Sequence, residues 1–145
     1  LNEIEIQARH EIMLENYIMK VQIEARVIGD LALNHIIPTA IIYQNKLIQN
    51  ANGLKGLEIN VEDIIETIQD LSNHINIIKK LTNEMVEERK KVNKMEDSRT
   101  RAIAYCDQVK AKYFDQIRYS VDKLELLVDD EDWPLVKYRE LLFLR

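Results

Sequence analysis

Between residues 64 and 92 the apolar side chains recur in alternating steps of four and three. Ile64, Ile68, Leu71, Ile75, Ile78, Thr82, Met85, Arg89 and Val92 form one seam, with Thr82 and Arg89 as its two polar interruptions. That repeat keeps all nine on one side of an α-helix, and a strand, with its period of two, cannot carry it. Asn60 is placed to cap this helix, with Asp63 three residues on. Glu62, Asp63 and Glu66 sit at its start and Arg89, Lys90, Lys91 and Lys94 at its end, as the helix macrodipole favours. The pattern predicts a helix over 60–95, about 50 Å long at about 1.5 Å per residue.

The flanking segments have the same habit. Leu14, Ile18, Val21, Ala25, Ile28 and Ala32 form the seam of a first helix over 2–52. Gly29 lies inside that helix, where glycine costs roughly 1 kcal/mol against alanine, so a close helix–helix approach is expected there. Pro38 removes a backbone donor and predicts a kink or short break at 34–39. Asn52-Gly53 is a good C-cap pair, followed by a connection over 53–60. A third helix over 98–129 reads Ala102, Cys106, Val109, Tyr113, Ile117, Val121, Leu124 and Val128, with Asp97 or Ser98 as its cap. Three successive steps of four in its middle form a stutter, which loosens supercoiling locally. Asp129, Asp130, Glu131 and Asp132 end the pattern. Trp133-Pro134 then opens a short last helix over 134–143, with Leu135, Tyr138, Leu141 and Leu142 as its apolar face.

Only three glycines and two prolines punctuate the 145 residues, too few for the turns of a sheet protein. The expected fold is therefore all-α. It is a single domain spanning 1–145, an elongated up-down-up bundle of three long helices, the first kinked near Pro38, plus a short C-terminal helix. Apolar residues at 46% and charged residues at 31% suit amphipathic helices with solvated outer faces and exclude disorder. A net charge of −5 argues against a nucleic-acid partner. One cysteine allows no internal disulfide, which fits a reducing cytoplasm. Runs such as Ala40-Ile41-Ile42-Tyr43 are too short to span a bilayer, and no signal peptide opens the chain, so no membrane partner is expected. The chain starts at Leu1, already inside a helical pattern, and reads as a fragment of a longer protein.

The residues that carry chemistry in helical bundles are missing their partners. Di-iron sites need Glu-x-x-His, and Gln7, Ala32 and Leu71 precede His10, His35 and His74 by three. No metal, cofactor or catalytic residue is therefore expected. Cys106 lies on the apolar seam and reads as a small buried hydrophobe, not a nucleophile. The acidic run 129–132 lacks the spacing and glycine of a calcium loop and reads as helix punctuation. Lys79, Lys80, Arg89, Lys90, Lys91, Lys94, Arg99 and Arg101 are interleaved with acids and read as a solvated helix end. Trp133 either plugs the end of the bundle or anchors a partner.

Several stretches are too particular for generic helix. The first is Arg26-Val27-Ile28-Gly29-Asp30-Leu31-Ala32-Leu33-Asn34-His35-Ile36-Ile37-Pro38-Thr39-Ala40, running on into Tyr43-Gln44-Asn45. Others are Ala104-Tyr105-Cys106-Asp107, Ile117-Arg118-Tyr119, Asp122-Lys123-Leu124-Glu125-Leu126-Leu127-Val128-Asp129-Asp130 and Trp133-Pro134-Leu135 with Lys137-Tyr138-Arg139-Glu140-Leu141-Leu142-Phe143. In this order they resemble the C-terminal region of type III glutamine synthetases over nearly the whole chain, most weakly at 53–70 and 82–100. The closing stretch resembles the family's chain end.

The resemblance implies a large cytoplasmic parent enzyme that joins ammonia to glutamate with ATP and magnesium and assembles as a dodecamer. The family's nucleotide, metal and glutamate motifs lie upstream, so it assigns no catalytic residue here. The expectation is a non-catalytic accessory domain that packs on the catalytic domain of the same chain and on neighbouring subunits. The alternative is a regulatory domain that binds an effector or a small protein. The candidate interface is Gly29, Asn34, His35, Ile36, Ile37, Pro38, Ile41 and Trp133. If Ile36, Ile37 and Ile41 only pack the bundle's own bend, they will not form an exposed patch.

Overall fold

The computed structural model describes residues 2–134. Among them the chain is all-α, with three helical arms and no strand. The first arm comprises α1 (Glu3–Leu31), a π segment (Ala32–Ile36) and α2 (Ile37–Gly56). The second arm is α3 (Glu62–Asn93). The third comprises α4 (Ser98–Ala104), a second π segment (Tyr105–Phe114) and α5 (Asp115–Leu127). The last helix expected over 134–143 lies outside the described residues.

The break expected near Pro38 is a π bulge instead, and the first arm stays helical from Glu3 to Gly56. Pro38 has no N–H to give to the carbonyl one turn back. Widening the preceding turn answers this: the Ile37 N–H bonds the Ala32 carbonyl, five residues back. Thr39 Oγ1 donates to the His35 carbonyl at 2.8 Å, capping another acceptor exposed by the bulge. By length and composition alone this arm contains a stretch apolar enough to cross a membrane. Ile36, Ile37 and Ala40 are nonetheless buried in the bundle, and Gln44 Nε2 bonds the Ile68 carbonyl (2.9 Å) and Ser72 Oγ (2.6 Å) on α3.

The helix does not stop at Asn52-Gly53. It runs to Gly56 and ends in a Schellman turn, with Ile59 N–H on the Leu54 carbonyl and Glu58 N–H on the Lys55 carbonyl. Glu58 holds the left-handed position (φ 59°) that glycine usually fills, and Gly53 is a plain helical residue. Asn60 bonds the Glu62 N–H at 2.8 Å, one residue outside the cap position occupied by Val61. Asp97 is the N-cap of α4: its carboxylate accepts from Thr100 N–H (2.9 Å) and Thr100 Oγ1 (2.8 Å). Those two bonds hold its carboxyl below the usual carboxylate range.

Two core clusters result. The first joins Ile18, Val21 and Ala25 of α1 to Met85 and Val92 of α3 and to Tyr105, Val109, Tyr113 and Ile117 of the third arm. The second joins Ala32, Ile36, Ile37 and Ala40 to Leu71, Ile75, Ile78, Leu124, Val128 and Trp133. The α3 seam read from sequence is buried from Leu71 to Val92 apart from Arg89, which is half-buried. Residues 2–13 are all exposed, so the first three turns of α1 project beyond the bundle by about 16 Å at about 1.5 Å per residue.

Candidate functional site: outer faces and groove of the bundle

Of the eight residues expected at an interface, Gly29, Ile36, Ile37 and Trp133 are buried, and Asn34, His35, Pro38 and Ile41 are exposed. Ile36 and Ile37 therefore pack the bend of the first arm, and no patch of Ile36, Ile37 and Ile41 reaches the surface. Trp133 closes the second core cluster. On the exposed side, Asn34 Nδ2 donates to Asp30 Oδ1 at 2.7 Å, and His35 Nε2 lies 3.6 Å from Asp30 Oδ2. These polar groups satisfy one another along one helix. The approach at Gly29 is less close than expected: a Cβ there would meet Thr82 Cγ2 at 3.7 Å, an ordinary contact.

Cys106 is exposed, not buried. The second π segment is the reason. Its wider turn keeps residues spaced by four in line, so the buried face reads Tyr105, Val109, Tyr113, Ile117, and Tyr105 takes the core position. The stutter is thus a change of helix type, and it starts one step earlier than the sequence pattern suggests. Cys106 instead shares a side-chain hydrogen bond with Tyr17, which with partial burial pushes the Tyr17 phenol up to about 12.

Between the arms, Gln22 Nε2 donates to Tyr105 Oη and to Asn93 Oδ1, each at 2.9 Å, and Tyr105 Oη donates to Asn93 Oδ1. Arg101 pairs with Glu15 at 2.8 Å, and Ser98 Oγ donates to the same carboxylate. These networks tie α1, at Glu15 and Gln22, to the start of the third arm and the end of α3. Basic side chains at this end have acidic partners as well: Lys90 with Glu87 at 3.1 Å and Lys91 with Glu88 at 4.0 Å. In the acidic run, Asp129 accepts from the Glu131, Asp132 and Trp133 N–H groups, and Asp132 pairs with Lys46 at 2.7 Å, so it serves as a turn and a tie to α2.

No group of three or more His, Cys, Asp or Glu side chains is placed to hold a metal ion among the described residues.

Two surfaces remain. Ile12, Met19, Ile23 and Val27 are 50% to 60% exposed, and steps of seven, four and four align them on the side of α1 away from Ile18, Val21 and Ala25. Sequence reading missed this stripe because the inner seam of the same helix is equally apolar. The second surface is a groove of about 720 Å³ between the first arm and the third, floored by Ile28, Ile36, Phe114, Ile117 and Val121. Trp133 stands at its end nearest the bend, and Cys106 lines it farther up the third arm.

The described residues thus belong to the class of all-α helical bundles, with large apolar side chains on the outer surface. The chain's sequence relations are specific. Residues 1–55, which contain almost the whole first arm, match the family described as the glutamine synthetase C-terminal domain. A glutamine synthetase of Bacteroides fragilis is 46% identical over 98% of this chain, and a type-3 glutamine synthetase of Dictyostelium discoideum is 25% identical over the whole of this chain. The chain spans about a fifth of the length of these relatives. It belongs to the glutamine synthetase C-terminal domain family.

Proposed function

We propose that the chain is the non-catalytic, helical C-terminal accessory domain of a cytoplasmic glutamine synthetase. The parent would ligate ammonia to glutamate with ATP and magnesium held elsewhere in its sequence. The domain would pack on the catalytic part of its own chain and on neighbouring subunits of a homo-oligomer, a dodecamer by family resemblance. The observation that carries this reading is the outer stripe of α1. Four large apolar side chains facing water along one helix form the kind of contiguous patch that a partner covers. About four fifths of the length of the relatives lies outside the chain, which supplies a partner within the same polypeptide.

The test is made in the full-length parent. Met19→Glu and Ile23→Glu place charge on the stripe and leave the buried seam alone. The expected result is loss of the native mass by light scattering, with the helicity of the isolated domain unchanged. An intact assembly at native mass carrying both substitutions would refute the reading. The isolated chain is expected to be monomeric across a concentration series; a concentration-dependent dimer would place self-association within the domain itself.

A further inference from the structure

We propose that a cleft between α1 and α3 is a binding site for a small oxyanion, a molecule carrying a carboxylate or a phosphate group. The cleft has a volume of about 250 Å³ and shares no lining residue with the groove between the first and third arms. Buried Ala25, Gly29 and Met85 form its floor, and Arg26 of α1 and Arg89 of α3 line it from opposite helices. Arg89 holds a seam position of α3 between buried Met85 and Val92 and is itself half-buried. A charge placed there loses part of its hydration and needs a partner.

That partner is missing from the bundle. Among the described residues neither guanidinium has an ion pair or a hydrogen bond, whereas Lys90, Lys91 and Arg101 at the same end each have a carboxylate. Asp30 also lines the cleft but is engaged along its own arm: it accepts from Asn34 Nδ2 at 2.7 Å and lies 3.6 Å from His35 Nε2. In a chain of net charge −5, two cations against one acid reverse the sign locally. Arginine sets the chemistry of the ligand, since its planar fork gives two parallel N–H bonds to a carboxylate or a phosphate. Size sets the rest. The volume lies below the roughly 300–1,000 Å³ of pockets for drug-sized ligands. It equals roughly eight waters at about 30 Å³ each, which admits phosphate or a short-chain acid and excludes a nucleotide. The methylenes of a short acid would lie on the apolar floor.

Nuclear magnetic resonance of the full chain tests this, by titration with inorganic phosphate and separately with succinate, at ionic strength held constant with chloride. The expected result is a saturable shift of the Arg26 and Arg89 Nε–H resonances and of the Gly29 amide, with exposed Arg99 on α4 unmoved. A response to phosphate alone assigns the site to phosphate groups, and a response to succinate alone assigns it to carboxylates. No saturable shift with either probe, or the same linear drift at Arg99, overturns the proposal. Arg89→Met is the companion variant. It should abolish the saturable response at Arg26 and, in chloride alone, leave Tm equal or higher, because an unpaired charge on the seam has been replaced by an apolar side chain. Undiminished binding in Arg89→Met overturns the proposal, and so does a fall in Tm with helicity intact, which would mean that Arg89 already has its partner within the bundle. Arg26→Gln, at an exposed position, repeats the binding test without touching the core: loss of the Arg89 response supports the site, and an unchanged response overturns it.

Discussion

Replacing Gly29 by alanine should stabilise the chain. Gly29 is buried in the last turn of α1, inside the continuous first arm, with helical geometry and no positive φ. Alanine in a helix interior is favoured over glycine by about 1 kcal/mol, in part because it restricts the unfolded chain. The added methyl would meet Thr82 Cγ2 at 3.7 Å, so it fills space without displacing its neighbour. Burying it adds a further gain of up to about 0.8 kcal/mol. The combined expectation is about 1–2 kcal/mol, or a rise in Tm of roughly 3–6 °C for a chain of this size. Thermal unfolding followed by circular dichroism reads this directly. Gly29→Val is the companion variant: its extra carbons have no such room and should cost about 1–3 kcal/mol. If Gly29→Ala lowers Tm, α1 and α3 approach too closely there for any side chain, and the reasoning from the contact distance fails.

Glu58→Gly should raise stability by about 1 kcal/mol in urea unfolding, because it removes the left-handed strain of a non-glycine residue at the end of α2. Thr82→Val should also stabilise, by about 1 kcal/mol, because the fully buried Thr82 Oγ1 has no hydrogen-bond partner. Tyr105→Phe should destabilise by about 1 kcal/mol, since the ring stays buried while the hydroxyl shared with Asn93 and Gln22 is lost. The pH dependence has two ends. Asp97 has a lowered pKa, so its contribution is present above the ordinary carboxylate pKa and lost as pH falls through the lowered value; Asp97→Ala should flatten that acid limb of an unfolding series. Tyr17 is raised to about 12, so its contribution is present below the ordinary phenol pKa and lost as pH rises towards 12; Cys106→Ala should move its ultraviolet titration back towards 10.

The sequence shows most clearly where each helix has a single apolar face. In α3 the outer face is charged, so the seam stands out, and its buried residues from Leu71 to Val92 are those the pattern names. Asp97 as a cap was legible for a similar reason, since only a short polar side chain before an apolar run can bond the free N–H groups there. The end of α2 was not, because tertiary packing carried the helix past Asn52-Gly53 and left Glu58 to make the turn. Nothing about a glutamate signals a left-handed residue.

Both π segments escaped the reading for one reason. Pattern analysis assumes a fixed turn of 3.6 residues, and a bulge changes the turn without changing the composition. At Pro38 the missing N–H marks the place but not the remedy: a break, a kink and a widened turn all answer it. In the third arm the stutter marked the middle correctly, but the wider turn already applies at Tyr105 and so exchanges Cys106 for Tyr105 in the core. This shift also decides the surface. It turns Cys106 towards the groove and puts Phe114 on the groove's floor, so the same bulge that repacks the core shapes the groove. The α1 stripe is the opposite case. Its residues are ordinary helix formers, and only the burial of the inner seam reveals that Ile12, Met19, Ile23 and Val27 face away from it.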